Sequence, residues 1–390
     1  MLTSLALALA ICASAPHIPA TVPGPPPVNP AVEIAWFQGP HMSALGKARK
    51  ERKPIALYFW MDGSAQCSRL YAETLQEAPV AQVLDDTICV GIDIASTQGT
   101  RLVQRYGVTV LPTLLFLTPD GEAEDVVIGF IPAGGLVAEI QRIQAGTNTV
   151  SDFRRRLDES PEDLALRHQL ATKLRDVGDG AGHDALVAEI RALDPEGATP
   201  TGARLLFWEV RQQALGGAAP AEVDLAPVYA HLERITPREI RFEAWDWVAQ
   251  FELERERGKE GRVAARRAWE FAGDSNRLPF GARTARGFFQ MRGELDEGDK
   301  AFLLEIGRKA GELVRALDGD VSGLQGLEWE EGEGYDSGLA FVLEAQSMAE
   351  FVNGNLKEAI ALIEECLALA PENPELPGRL ALYKGKGADE

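Results

Sequence analysis

Short apolar runs alternate with polar, helix-prone stretches through residues 31–143. Ser43 to Lys53 is polar with helical spacing, Ser43 is a fitting N-cap, and Pro54 ends the pattern. Ile55 to Trp60 (IALYFW) is a continuous apolar run of strand length. A second helical pattern extends from Ser64 to about Leu84, with a break expected at Pro79. Ile88 to Ile94 reads as another buried strand, and Thr100 to Tyr106 as a short helix stopped by Gly107. Leu114 to Leu117 is a third strand. Thr118-Pro119-Asp120-Gly121 then makes a turn, because Pro presets φ and Gly accepts positive φ. Val126 to Phe130 pairs back across it, and Ala133 to Ile143 closes with a helix. The order β-α-β-α-β-β-α predicts a mixed central sheet covered by helices.

Residues 144–390 lack strand patterns and show helical apolar spacing throughout. Ser160-Pro161-Glu162 and Asp194-Pro195-Glu196 are 34 residues apart, with Leu166, Leu170, Leu174 and Leu186, Val187, Ile190, Leu193 between them. Gly178-Asp179 falls at the expected turn. Gly354 to Ile360, followed by Ile363, Cys366, Leu367, Leu369, Pro371 and Asn373, has the same pattern more fully. These stretches resemble degenerate tetratricopeptide repeats, stacked helical hairpins with a concave binding face. Further helices are expected at 201–215, 223–235, 239–257, 262–272, 281–292 and 299–317, punctuated by Pro237, Gly258, Gly261 and Pro279. Trp208, Trp245, Trp247 and Trp269 are expected to pack between helices, and Arg262, Arg266 and Arg267 to form a solvated helix face.

The first thirty residues follow neither pattern. Leu5 to Cys12 is an apolar run too short to span a bilayer, and Ala13-Ser14-Ala15 fits a cleavage site. Residues 1–15 are therefore expected to be a signal peptide and the protein exported, periplasmic or extracellular. A lipid anchor on Cys12 is the less favoured alternative, since Ile11 is bulky. Residues 16–30 are proline-rich and uncharged, an extended linker.

Composition narrows the functions available. Thirty-nine Lys+Arg against 59 Asp+Glu leave a net charge of −20. That acidity argues against nucleic-acid binding, which depends on Lys and Arg displacing counterions. Residues 31–143 carry 9 basic and 13 acidic side chains, so the acidity belongs mainly to the helical region. Four cysteines in 390 residues make no disulfide scaffold. No stretch is long and apolar enough for a membrane span.

The candidate chemistry lies in two segments. Tyr58-Phe59-Trp60-Met61-Asp62-Gly63-Ser64-Ala65-Gln66-Cys67 has a strand ending in aromatic residues, a short loop, and a helix opened by Ser-x-x-Cys. Tyr106-Gly107-Val108-Thr109-Val110-Leu111-Pro112-Thr113 precedes the third strand. Together these resemble the thioredoxin superfamily, whose members open the helix with Cys-x-x-Cys and carry a cis-proline before the corresponding strand. The resemblance covers about residues 34–143. It implies a thioredoxin-like α/β domain at 31–143, with an all-α repeat region at 144–390.

Ser64 stands at the family's nucleophile position. Disulfide exchange needs an attacking thiolate and a second, resolving thiol, and a serine hydroxyl is not acidic enough to substitute. Ser64 is instead expected to cap its helix. Cys67 holds the resolving position and remains the one candidate catalytic residue, as a monothiol; burial as a small apolar residue is the competing role. If Leu111-Pro112 is cis, as the resemblance implies, the backbone there is expected to dock extended peptide by strand addition without redox chemistry. Cys89 lies in a strand and Cys366 at a helix-packing position.

No cofactor and no metal site are expected. The five histidines lack ligand spacing, and Asp318-Gly319-Asp320-Val321-Ser322-Gly323 begins a calcium-loop pattern that places Trp329 where the closing Glu belongs, Glu328 being one residue early. Two functions from different classes follow: a binder of polypeptide partners without dithiol activity, or a thiol-disulfide oxidoreductase working through Cys67.

Overall fold

The structure, a computed structural model, describes residues 33–324, 327 and 334–386. The expected signal peptide with Cys12, the linker at 16–30, and Glu328 and Trp329 lie outside the described residues. Two compact units divide the chain, Met1–Val187 and Ala188–Glu390.

The first unit carries a thioredoxin-like α/β domain. Its elements are α1 (His41–Glu51), β1 (Ile55–Trp60), α2 (Ala65–Leu70), a π-turn over Tyr71–Leu75, α3 (Ala78–Val83), β2 (Ile88–Asp93), α4 (Thr97–Tyr106), β3 (Thr113–Leu117), β4 (Ala123–Ile128) and α5 (Ala133–Gln144). The four-stranded sheet has the order β2-β1-β3-β4. β1 runs parallel to β2, with Ala56 opposite Cys89, and antiparallel to β3, with Phe59 opposite Thr113. Each boundary has a local cause. Ser96 caps α4 one turn earlier than the apolar pattern indicated, and Gly107 closes it in the left-handed region. Pro79 does not break a helix; it sits in the first turn of α3, where its missing N–H costs nothing.

The sheet is covered on both faces. One side packs Ile55, Leu57, Phe59, Val90, Ile92, Leu115 and Leu117 against α1 and α4. The other packs Ala56, Tyr58, Leu114, Phe116 and Val127 against α3 and α5.

The expected junction at 143/144 falls inside this first unit. Helices α6 (Val150–Glu159) and α7 (Leu164–Asp176) send Val150, Phe153, Leu166, Leu170 and Leu174 into the same core as Phe59 and Leu115. Asp125 of β4, fully buried, binds Arg142 of α5 at 2.9 Å and Lys173 of α7 at 2.7 Å. The turn after α7 is equally close. Gly178 has φ +89°, and a Cβ there would lie 2.0 Å from the carbonyl oxygen of Tyr106. The unit boundary lies within α8 (Gly180–Leu193).

The described part of the second unit is helical. Beyond α8 it comprises α9 (Pro200–Leu215), α10 (Ala226–Leu232), α11 (Arg238–Glu254), α12 (Gly258–Phe271), α13 (Asp274–Gln290), α14 (Glu297–Ala316), α15 (Gly334–Val352), α16 (Leu356–Leu369) and α17 (Glu375–Lys386). Pro279 and Gly261 are built into helices and do not separate them. A continuous core runs from Ala203 to Tyr383. Cys366 is buried in it with its thiol on the Ala340 carbonyl, and burial pushes that thiol up to about 12.

Two expectations for this unit fail. Arg262 and Arg266 are not a solvated basic face: both bind the buried Asp299 of α14, Arg262 at 2.8 Å. Only Arg267 is exposed, paired with Glu270. Trp245, Trp247 and Trp269 pack against Tyr229, Phe207 and Phe280 respectively, whereas Trp208 is 49% exposed.

Candidate functional site

The site is the end of the sheet where β1 leaves and β3 enters. Leaving β1, the chain passes through Met61-Asp62-Gly63, Gly63 taking φ +77° and donating to the Asp62 carboxylate at 3.0 Å. Ser64 then stops in extended geometry and its Oγ accepts the N–H of Cys67 at 3.3 Å. This is the N-cap role expected for it: one of the helix's unpaired donors is satisfied by a side-chain oxygen.

Cys67 is 2% exposed. Its carbonyl accepts both the Tyr71 N–H and, at 3.1 Å, the Tyr58 hydroxyl. Burial first, then the neighbouring Cys67 and Tyr71, push the Tyr58 phenol above its ordinary range, so it stays a donor. The π-turn after α2 carries Thr74, whose hydroxyl donates to the Ile131 carbonyl at 2.6 Å and ties this helix to the segment following β4.

At the same end of the sheet, directly before β3, the Leu111–Pro112 peptide bond is cis. The Pro112 carbonyl accepts from Gly129 at 2.8 Å, and the Thr113 hydroxyl donates to the Val110 carbonyl at 2.7 Å. The β1–β3 and β3–β4 ladders begin at Thr113, so Leu111 lies beyond both. The register then brings exposed apolar side chains to this end: Met61 after β1, Val110 before Pro112, and Ile128 opposite Thr113. Nearby, Arg69 of α2 lies over the Phe130 ring at 3.8 Å and pairs with Glu73.

Sequence reasoning singled out Ser64, Cys67, Leu111 and Pro112 but missed Met61, Val110, Ile128 and the Arg69–Phe130 stack. Val110 and Ile128 had a legible signal, being apolar residues directly beside a turn. Their exposure depends on which elements cover the sheet end, which spacing along the chain does not encode.

The chemistry available is limited by the thiols. Cys67, Cys89 and Cys366 are free and buried. Cys89 lies on β2 with its thiol toward the Thr87 carbonyl at 3.7 Å, and burial pushes it up to about 12. An attacking thiolate needs exposure and a depressed pKa, and Cys89 has the reverse of both. Among the described residues, no group of three or more His, Cys, Asp or Glu side chains could hold a metal ion. Among the same residues, no helix is long and apolar enough to cross a membrane.

Sheet order, helix cover and proline turn together define a thioredoxin-like domain, and residues 42–144 match the family model described as a thioredoxin-like domain. Among solved structures, the chain is similar to a thioredoxin from Thermus thermophilus, at 21% identity over 29% of this chain and 88% of that one, with a TM-score of 0.27. It is also similar to a DsbH oxidoreductase, at 21% identity over 32% and 92% of the two chains, TM-score 0.26. A third similar structure is the C-terminal domain of Neisseria meningitidis DsbD in the oxidised form, at 20% identity over 27% and 98%, TM-score 0.24. No curated protein matches the chain significantly.

Proposed function

We propose that this protein is an exported thioredoxin-fold protein that holds polypeptide partners and does not carry out dithiol-disulfide exchange. The observation that carries the reading is Ser64: its hydroxyl is engaged in capping α2 where an attacking thiolate would have to stand, and the remaining Cys67 is buried. Partners dock as an added strand against the backbone beside Leu111 and Pro112, with Met61, Val110 and Ile128 supplying apolar contact. Strand addition draws its affinity from main-chain hydrogen bonds and needs no catalytic group. The helical second unit, read as tetratricopeptide-like hairpins, provides further peptide-binding surface. Export fits the apolar run at Leu5–Cys12 and the small residues after it.

The test is insulin reduction by dithiothreitol, with wild type beside Cys67→Ala and Ser64→Cys. Wild type and Cys67→Ala should match the rate without protein, and Ser64→Cys should exceed it. Robust wild-type turnover that disappears in Cys67→Ala would favour the monothiol oxidoreductase and sink the proposal.

A further inference from the structure

The seam between α9 and α11 is lined by alternating charges and rings. Near its start Arg204 of α9 forms a two-pronged pair with Glu243 of α11, at 2.8 and 2.6 Å. Next come Phe207 and Trp247, edge to face with centroids 6.0 Å apart. One turn further Arg211 reaches the same ring, its guanidinium carbon 5.5 Å from the Trp247 centroid, and Trp247 stacks in turn on Phe251 at 5.1 Å. At this level α11 offers two aromatic rings where one and two turns earlier it offered a ring and a carboxylate.

Arg211 is consequently left over. Its Nε is buried without a hydrogen-bond acceptor among the described residues, and burial lowers its pKa below the ordinary arginine value. A cation–π contact of this kind holds a guanidinium in place but does not neutralise it. Among the other arginines of this unit that contact rings, Arg283 has Asp246 and Arg286 has Glu344, whereas Arg241 and Arg292 donate to the backbone carbonyls of Ile235 and Phe289. Three residues before Arg211, on the same face of α9, is Trp208, 49% exposed. An exposed tryptophan beside a held, unneutralised arginine is the composition of an interface anchor, since Trp and Arg dominate binding hot spots.

We propose that the α9 face carrying Trp208 and Arg211 docks polypeptide segments that present an Asp or Glu side chain beside an aliphatic or aromatic one. The carboxylate supplies the counter-charge that α11 does not, and the apolar neighbour covers the Trp208 indole. The chain as a whole carries −20, so an acidic partner is drawn to this point by local charge alone. That makes the carboxylate contact a source of specificity. The assignment rests on reading the helical unit as a peptide-binding surface, and names the class of peptide and the residues that select it.

The experiment selects peptides from a phage-displayed random dodecapeptide library against the full chain, then titrates synthetic copies by fluorescence anisotropy. The selected pool should be enriched in Asp or Glu adjacent to Leu, Ile or Phe. Affinity should fall at least tenfold in Arg211→Gln and in Trp208→Ala, and less in Arg211→Lys. Val263→Ala, another exposed apolar position of this unit, should leave it unchanged. Replacing the peptide's acid with its amide should cost tenfold in wild type but nothing further in Arg211→Gln. Equal binding to wild type, Arg211→Gln and Trp208→Ala would overturn the inference. Peptides that bind but depend on Val110 and not on α9 would overturn it while leaving polypeptide binding standing; recovery of no peptide would remove both. Circular dichroism melts of each variant separate lost binding from lost fold.

Discussion

The Ser64 side-chain oxygen accepts the backbone N–H of Cys67 at 3.3 Å. In the function proposed above these are the two positions of a dithiol motif, and a capping hydrogen bond joins them. The first residue now stabilises the helix start, and the second lies inside it, with its carbonyl held by Tyr71 and Tyr58.

Removing the cap should cost stability and no activity. Ser64→Ala leaves the Cys67 N–H without its acceptor, at about 1 kcal/mol. Urea unfolding of the first unit should shift by that amount, while the peptide binding proposed for the Pro112 end should stay as in wild type. Ser64→Asp, a comparable cap with favourable charge at a helix N-terminus, should recover the loss.

The described cysteines should resist alkylation. Cys67, Cys89 and Cys366 are all buried, and burial holds Cys89 and Cys366 at about 12, far from thiolate at neutral pH. Peptide-level mass spectrometry after iodoacetamide should find none of the three labelled in the folded chain and all three labelled in urea. Rapid labelling of Cys67 in buffer would restore it as a candidate for redox chemistry.

Helices α6 and α7 should prove inseparable from the sheet. Gly178→Ala combines a left-handed backbone with a Cβ driven against the Tyr106 carbonyl, and should cost about 2–3 kcal/mol. Asp125→Ala leaves Lys173 without its carboxylate and Arg142 with Glu139 alone, both cations still reaching solvent, and should cost about 3 kcal/mol, at the low end for a broken buried pair. A fragment ending at residue 143 should show a broadened thermal transition beside one ending at 187. Equal melting of the two fragments would mean that the sheet stands alone.

Acid should loosen the first unit through His41. This residue is buried with its Nε2 3.4 Å from the Tyr106 hydroxyl, and burial, followed by Arg105, lowers its pKa below 6.5. The unfolded chain takes up that proton near pH 6.5, whereas the folded chain resists it. The contribution is therefore complete above about pH 6.5 and declines as pH falls below it. Urea midpoints measured from pH 7.5 to 5 should fall more in wild type than in His41→Gln.

Much of the fold was legible because its causes are local. An apolar run such as Ile55–Trp60 has few options but a buried strand. Pro112 before another apolar run marks a turn, and Ser64 before a helical pattern marks a cap. For the same reason the cap at Ser64 and the turn at Pro112 could be read from the chain alone.

What spacing could not supply was partnership across distance. That Arg262 and Arg266 meet Asp299 on α14 depends on how two helices lie together, and an isolated arginine run looks the same as a solvated face. Trp208 and Trp247 are indistinguishable by type, yet one meets Phe207 and Phe251 and the other meets solvent.

The sequence by itself therefore determined a thioredoxin-like sheet domain with a serine capping the helix after its first strand, followed by helices. Local propensity and turn chemistry act over a few residues, and they are written in order along the chain. Only the tertiary structure decided that α6 and α7 finish the first core, that Cys67 is buried, and that Arg211 pairs with no carboxylate among the described residues. Burial and charge pairing are properties of what lies across a packed interface, and that neighbour is chosen by the whole fold.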